Sequence, residues 1–144
     1  MKYFLWLGIA VSVFLSACAK SPPSDAELMQ GSWVAVAASL GGQPVSEAVL
    51  KGMSFKVDKG QYEVHSGTAI DYGTFVLDAT TTPKSMTITG TEGFNKGKTF
   101  PAIYELNGDT LRICHDLSGK QRPTDFTSTA GTELYLVTYQ RKKE

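Results

Sequence analysis

Thr99-Phe100-Pro101-Ala102-Ile103-Tyr104-Glu105-Leu106-Asn107-Gly108-Asp109-Thr110-Leu111-Arg112-Ile113-Cys114 is two apolar-rich runs around an Asn-Gly pair, and its reading decides the fold. Asn-Gly favours a tight hairpin because both residues tolerate positive φ. In the first run Phe100, Ala102, Tyr104 and Leu106 share one side, with Thr99, Ile103 and Glu105 on the other. In the second, Leu111, Ile113 and His115 oppose Thr110, Arg112 and Cys114. This period of two predicts adjacent antiparallel strands. Both sides carry bulk, so the alternation alone leaves the core-facing side open; a barrel packed against its own loops accounts for it.

The same punctuation extends in both directions. Strands are predicted near Ser32–Ala38, Ser54–Lys56, Gln61–Ser66, Ile70–Leu77, Ser85–Thr89, Thr99–Leu106, Thr110–His115 and Glu133–Arg141. Asp58-Lys59-Gly60 and Ser66-Gly67-Thr68 read as further hairpins. On the last strand Tyr135, Val137, Tyr139 and Arg141 oppose Leu134, Leu136 and Thr138. Two short helical turns are predicted. Ser24 with Glu27 three residues on forms a capping-box pattern, and Val45 to Leu50 lies between Pro44 and Gly52. Without helical crossovers the strands should be antiparallel. The fold class is therefore mostly β: an up-and-down barrel of about eight strands, since closure removes exposed edges. A sandwich is the alternative.

The chain has 144 residues, with 14 basic and 14 acidic side chains. That length fits one domain. The charge balance gives no electrostatic case for nucleic acid, so no nucleic-acid partner is expected.

The first residues read as an address. Lys2 precedes an uncharged run from Tyr3 to Leu15, too short for a lasting membrane span of roughly 20 residues. Leu15-Ser16-Ala17-Cys18 resembles the bacterial lipobox. That resemblance implies a signal peptide over residues 1–17 and diacylglyceryl transfer to Cys18, followed by amine acylation. Residues 18–25, with Pro22-Pro23, form the lipidated cysteine and tether, and 26–144 the β domain. Ala19 is not aspartate, which by analogy with Gram-negative sorting implies the periplasmic face of the outer membrane. Removing residues 1–17 takes away Lys2 and no acid, leaving 13 basic and 14 acidic residues. With Cys18 lipidated, Cys114 has no partner and is expected to be a buried, inert thiol.

A wider resemblance follows. Met29-Gln30-Gly31-Ser32-Trp33, Leu50-Lys51-Gly52-Met53-Ser54-Phe55, Tyr62 and Gly73-Thr74-Phe75-Val76-Leu77-Asp78 begin it. It continues through Pro83-Lys84-Ser85-Met86-Thr87-Ile88, the block from Gly97 to Cys114, Arg122-Pro123-Thr124-Asp125-Phe126 and the strand ending at Arg141. These resemble a lipocalin-like domain found in planctomycete and other bacterial exported proteins, a family without an assigned function. Ala102 departs from its usual glycine, and His115 from its usual residue. Gly31-Ser32-Trp33 also resembles the Gly-x-Trp opening of lipocalins proper. By that likeness Arg141 packs over Trp33 to close the barrel, a structural role.

Catalytic machinery is hard to assemble. Cys114-His115 invites a nucleophile–base reading, but adjacent strand residues point to opposite faces. His65 and His115 are the only histidines, without metal-ligand spacing, so no metal or other cofactor is expected. Glu105 and Asp109 flank a turn, where acids serve geometry and solvation. Neither a phosphate loop nor a Gly-x-Ser-x-Gly elbow is present. The more suggestive set is Tyr104, Arg112, Arg122 and Asp125. Arg112 needs a charge partner, and Asp125 is positioned in sequence to pair with either arginine. One reading is a salt bridge tying the Leu117–Thr132 loop to the sheet. The other is an arginine anchor at the mouth of a ligand cup. The expectation is a non-catalytic envelope lipoprotein binding a small, partly apolar ligand. The rival is a protein-binding module (an inhibitor, immunity protein or assembly accessory) acting through Leu117–Thr132 and Gly90–Gly97.

Overall fold

Trp33 stands where the sheet closes on itself. The computed structural model describes residues 21–143, so the signal peptide, Cys18 and Ala19 lie outside the described residues. Nine strands follow in order: β1 (Gly31–Leu40), β2 (Gln43–Pro44), β3 (Met53–Asp58), β4 (Gln61–Ser66), β5 (Ala69–Asp78), β6 (Ser85–Glu92), β7 (Thr99–Asn107), β8 (Thr110–Asp116) and β9 (Leu134–Arg141). All these strands pair antiparallel; β2 pairs with β1 alone, and β1 pairs with β9 to close an eight-stranded barrel of the other strands. Trp33 has Phe55 of β3 on one side and Arg141 of β9 on the other. The alternation and hairpin chemistry read from the sequence therefore give the observed architecture.

Two features adjust the element map. Gly41 and Gly42, both at positive φ, turn β1 back into the two-residue β2, which the sequence reading missed. A β-bulge between Ala35 and Ala37 shifts the register of β1 against β9. Trp33 and Ala35 face inward before it, whereas Ala38 packs on the core and Leu40 lines the interior after it. Ala37, which strict alternation would turn inward, is left exposed by that change of phase.

Two one-turn helices complete the fold: α1 (Asp25–Leu28) and α2 (Glu47–Leu50). Ser24 and Glu27 form a reciprocal capping box at the start of α1. Ser24 is the N-cap residue of α1. Among the described residues, all strands, both helices and the core lie within residues 24–142.

One pole of the barrel is plugged. Met29, Trp33, Val57, Tyr104 and Leu111 fill it and are buried. The Trp33 indole donates to the Met29 carbonyl at 3.0 Å. Arg141 lies over the Trp33 ring at 4.1 Å and donates to the Gln30 and Leu28 carbonyls at 2.8 and 2.6 Å. It also bonds Asp109 at 3.0 Å. One guanidinium therefore joins the end of β9 to the segment that enters β1, satisfying carbonyls that the end of α1 leaves unpaired.

Residues 117–133 fold over the outside of β6–β8. Ile103 and Cys114 are buried there, apart from the interior core cluster. This second, external layer is why both faces of β7 and β8 carry bulk.

Candidate functional site

The inward positions change character along the barrel. Below lie the large plug residues; above them the side chains stop short of filling the space. A cavity of about 480 Å³ results, within the ~300–1,000 Å³ range of small-molecule sites. Its walls include Met53, Phe55, Phe75, Ile88, Phe100 and Ile113, with the rings of Tyr62, Tyr135 and Tyr139 among them. The cavity reaches the pole opposite α1, where Leu40, Ser66, Phe94, Lys98, Leu117 and Glu133 form its rim. The barrel is thus part filled and part hollow.

The rim is built by the β6–β7 connection. Asp71 accepts from the Asn95 backbone N–H at 3.0 Å and from its side-chain amide at 3.4 Å. That pins the loop against β5. Phe94 is 82% exposed there, and Lys98 Nζ lies 4.1 Å from its ring centre. Asp71, Lys98 and Glu133 place both signs of charge around the mouth.

Inside, the exceptional group is His115. It projects inward from β8 opposite Tyr135, with ring centres 5.6 Å apart. Its Nε2 is buried and has no hydrogen-bond partner among the described residues. Burial pushes its pKa down to about 4, so the imidazole is neutral at pH 7. Tyr135 is pushed up to about 12, and Tyr139 also upward, in both cases chiefly by burial. The interior therefore presents neutral hydrogen-bonding groups on apolar walls.

The four residues singled out from the sequence lie elsewhere, and the structure does not bring them together. Tyr104 points into the plugged pole, where its hydroxyl donates to Asp25 at 2.7 Å beside Lys84, also at 2.7 Å. Arg112 is on the outer face, 3.4 Å from Glu105 and 4.4 Å over the Phe126 ring. Arg122 crosses the outside of β6 and β7, donating to the Met86 and Ala102 carbonyls at 2.6 Å each and to Thr87 Oγ1 at 3.0 Å. Asp125 accepts from the Thr127 hydroxyl and pairs with neither arginine. The proposed Asp125 salt bridge is therefore corrected: backbone carbonyls hold Arg122, and a cross-strand carboxylate holds Arg112. Arg122 and Asp125 do line a second, polar cavity of about 500 Å³, which lies outside the barrel beneath their own loop.

The alternation of β8 contained the signal that separates them. Once Leu111 and Ile113 face inward, His115 does also and Arg112 cannot. The cysteine–histidine pair divides in the same way. Cys114 lies outside, its thiol 3.5 Å from the Thr127 carbonyl, and burial followed by the charges of Asp125 and Asp116 pushes it up to about 11. His65 is on the outer face of β4 beside Glu63. Among the described residues, no group of three or more His, Cys, Asp or Glu is arranged to hold a metal ion. Comparison with family models, with curated proteins and with solved structures gives no match for this chain.

Proposed function

We propose that this protein is an exported envelope lipoprotein whose barrel is a non-catalytic container for a small, partly apolar ligand. The observation that carries this reading is the apolar cavity of about 480 Å³, closed by α1 at one pole and reaching the surface at the other. Concave, mostly apolar sites with a few polar groups are the usual form of small-molecule pockets. The anchor is not Arg112 or Arg122, whose guanidinium groups are engaged outside the barrel. Polar recognition falls instead to the tyrosines and His115 within, and to the rim. The lipobox at Leu15–Cys18 supports attachment through lipid on Cys18, at the periplasmic face of the outer membrane in a Gram-negative envelope. The likeness to the lipocalin-like exported family supports an exported barrel.

Native mass spectrometry of residues 19–144, exported without the acyl anchor and gently purified, tests the container reading. An added mass that is reproducible and lost on denaturation is the expected result. A bare protein mass that stays bare with added lipid extract moves the weight to protein recognition. Cys18→Ser in the full chain is expected to abolish incorporation of labelled palmitate and release the protein from the membrane fraction.

A further inference from the structure

The interior is selective as well as apolar. His115 lines the cavity, and its Nε2, packed out of reach of solvent, has no partner among the described residues. A buried polar atom without a partner is costly, and a ligand group toward which the ring turns supplies that partner. The charged side chains that reach the cavity, Asp71, Lys98 and Glu133, belong to its rim. An ion drawn down to the level of His115 would lose its hydration without gaining a counter-charge.

We propose that His115 is a specificity-determining residue, selecting an uncharged amphiphile whose hydroxyl or carbonyl hydrogen-bonds the imidazole while its hydrocarbon part lies against Phe55, Phe75 and Ile113. The proposal rests on the container reading given above. The neutrality of the imidazole, a consequence of burial, lets it act as donor or acceptor by choice of tautomer. Tyr135, packed on the ring, gives the head group an aromatic side wall. Lys98 marks the competing arrangement: a fatty carboxylate would remain at the rim beside that ammonium, with its chain inward.

The test uses residues 19–144, fluorescent N-phenylnaphthylamine as a neutral probe, and decanol or sodium decanoate as competitors at neutral pH. Decanol is expected to displace the probe at least about tenfold more strongly than decanoate. His115→Leu is expected to retain the probe while weakening decanol by about tenfold, and His115→Gln to restore much of the loss. Preference for decanoate, abolished by Lys98→Ala, overturns the proposal in favour of the rim. Unchanged decanol binding in a folded His115→Leu protein overturns the role of His115 and leaves the container standing. If His115→Leu does not fold, the decanol-to-decanoate ratio of the unaltered protein decides. Absence of probe binding, together with a bare native mass, removes the container reading and this proposal with it.

Discussion

At the scale of the residue, His115 couples folding to pH. Its folded pKa of about 4 lies below the ordinary 6.5, so the unfolded chain binds the extra proton across that interval. Stability should therefore fall as pH drops from about 6.5 to about 4, by up to about 3 kcal/mol. Tyr135 on β9 packs on its ring, and the charged residues that line the same cavity, Asp71, Lys98 and Glu133, belong to the rim. Asp116 acts in the same direction at lower pH: burial raises its pKa, but hydrogen bonds from Ser118, Gln121 and Lys120 outweigh this and lower it below 3.8. Its stabilisation is lost only below about pH 4. Urea unfolding at a series of pH values should show the first window flatten in His115→Phe and the second persist. Gly73 gives a steric test. A Cβ there would run into the Tyr62 ring and the Thr89 carbonyl, so Gly73→Ala should cost about 1–3 kcal/mol, read from the urea midpoint. Residue roles were the least legible part of the sequence. Arg112 and Arg122 looked like anchors because their charges required partners, and spacing along the chain does not show whether those partners lie inside or outside.

At the scale of the element, the 117–133 loop is a second layer of structure rather than an appendage. Arg122 fastens it to the β6–β7 ladder, and beneath it Cys114 is held as a neutral thiol. Arg122→Ala should cost about 1–3 kcal/mol and accelerate labelling of Cys114 by a thiol reagent, while leaving ligand displacement unchanged. Slow labelling in a folded Arg122→Ala protein would show that other contacts hold the loop. The strands themselves were legible, because alternation and the Asp58–Gly60, Ser66–Thr68 and Asn107–Asp109 turns are local signals. The missed strand, β2, had a local signal too, in Gly41-Gly42. What was not local was the covering of Ile103 and Cys114, which depends on residues brought back from later in the chain.

At the scale of the whole molecule, one barrel is divided into a plug and a cavity, and the two should respond separately to mutation. Val64 lines the cavity from β4. Val64→Phe is expected to block ligand displacement and change stability by less than about 1.5 kcal/mol, since the added volume has space to occupy. Trp33→Ala, in the plug, should cost about 3–5 kcal/mol by chemical denaturation. Any of the Trp33→Ala protein that folds should still bind ligand. The position of α1 has a further consequence for how such a molecule would be loaded. The polypeptide reaches the domain at the plugged pole, and six residues of tether from Cys18 to Ser24 span at most about 20 Å. With acyl chains on Cys18, the barrel would stand on its base like a cup on a short leash, mouth turned from the bilayer that holds it. Cargo would then arrive from the aqueous compartment or from the opposing surface, and the anchoring leaflet would serve as mooring rather than source.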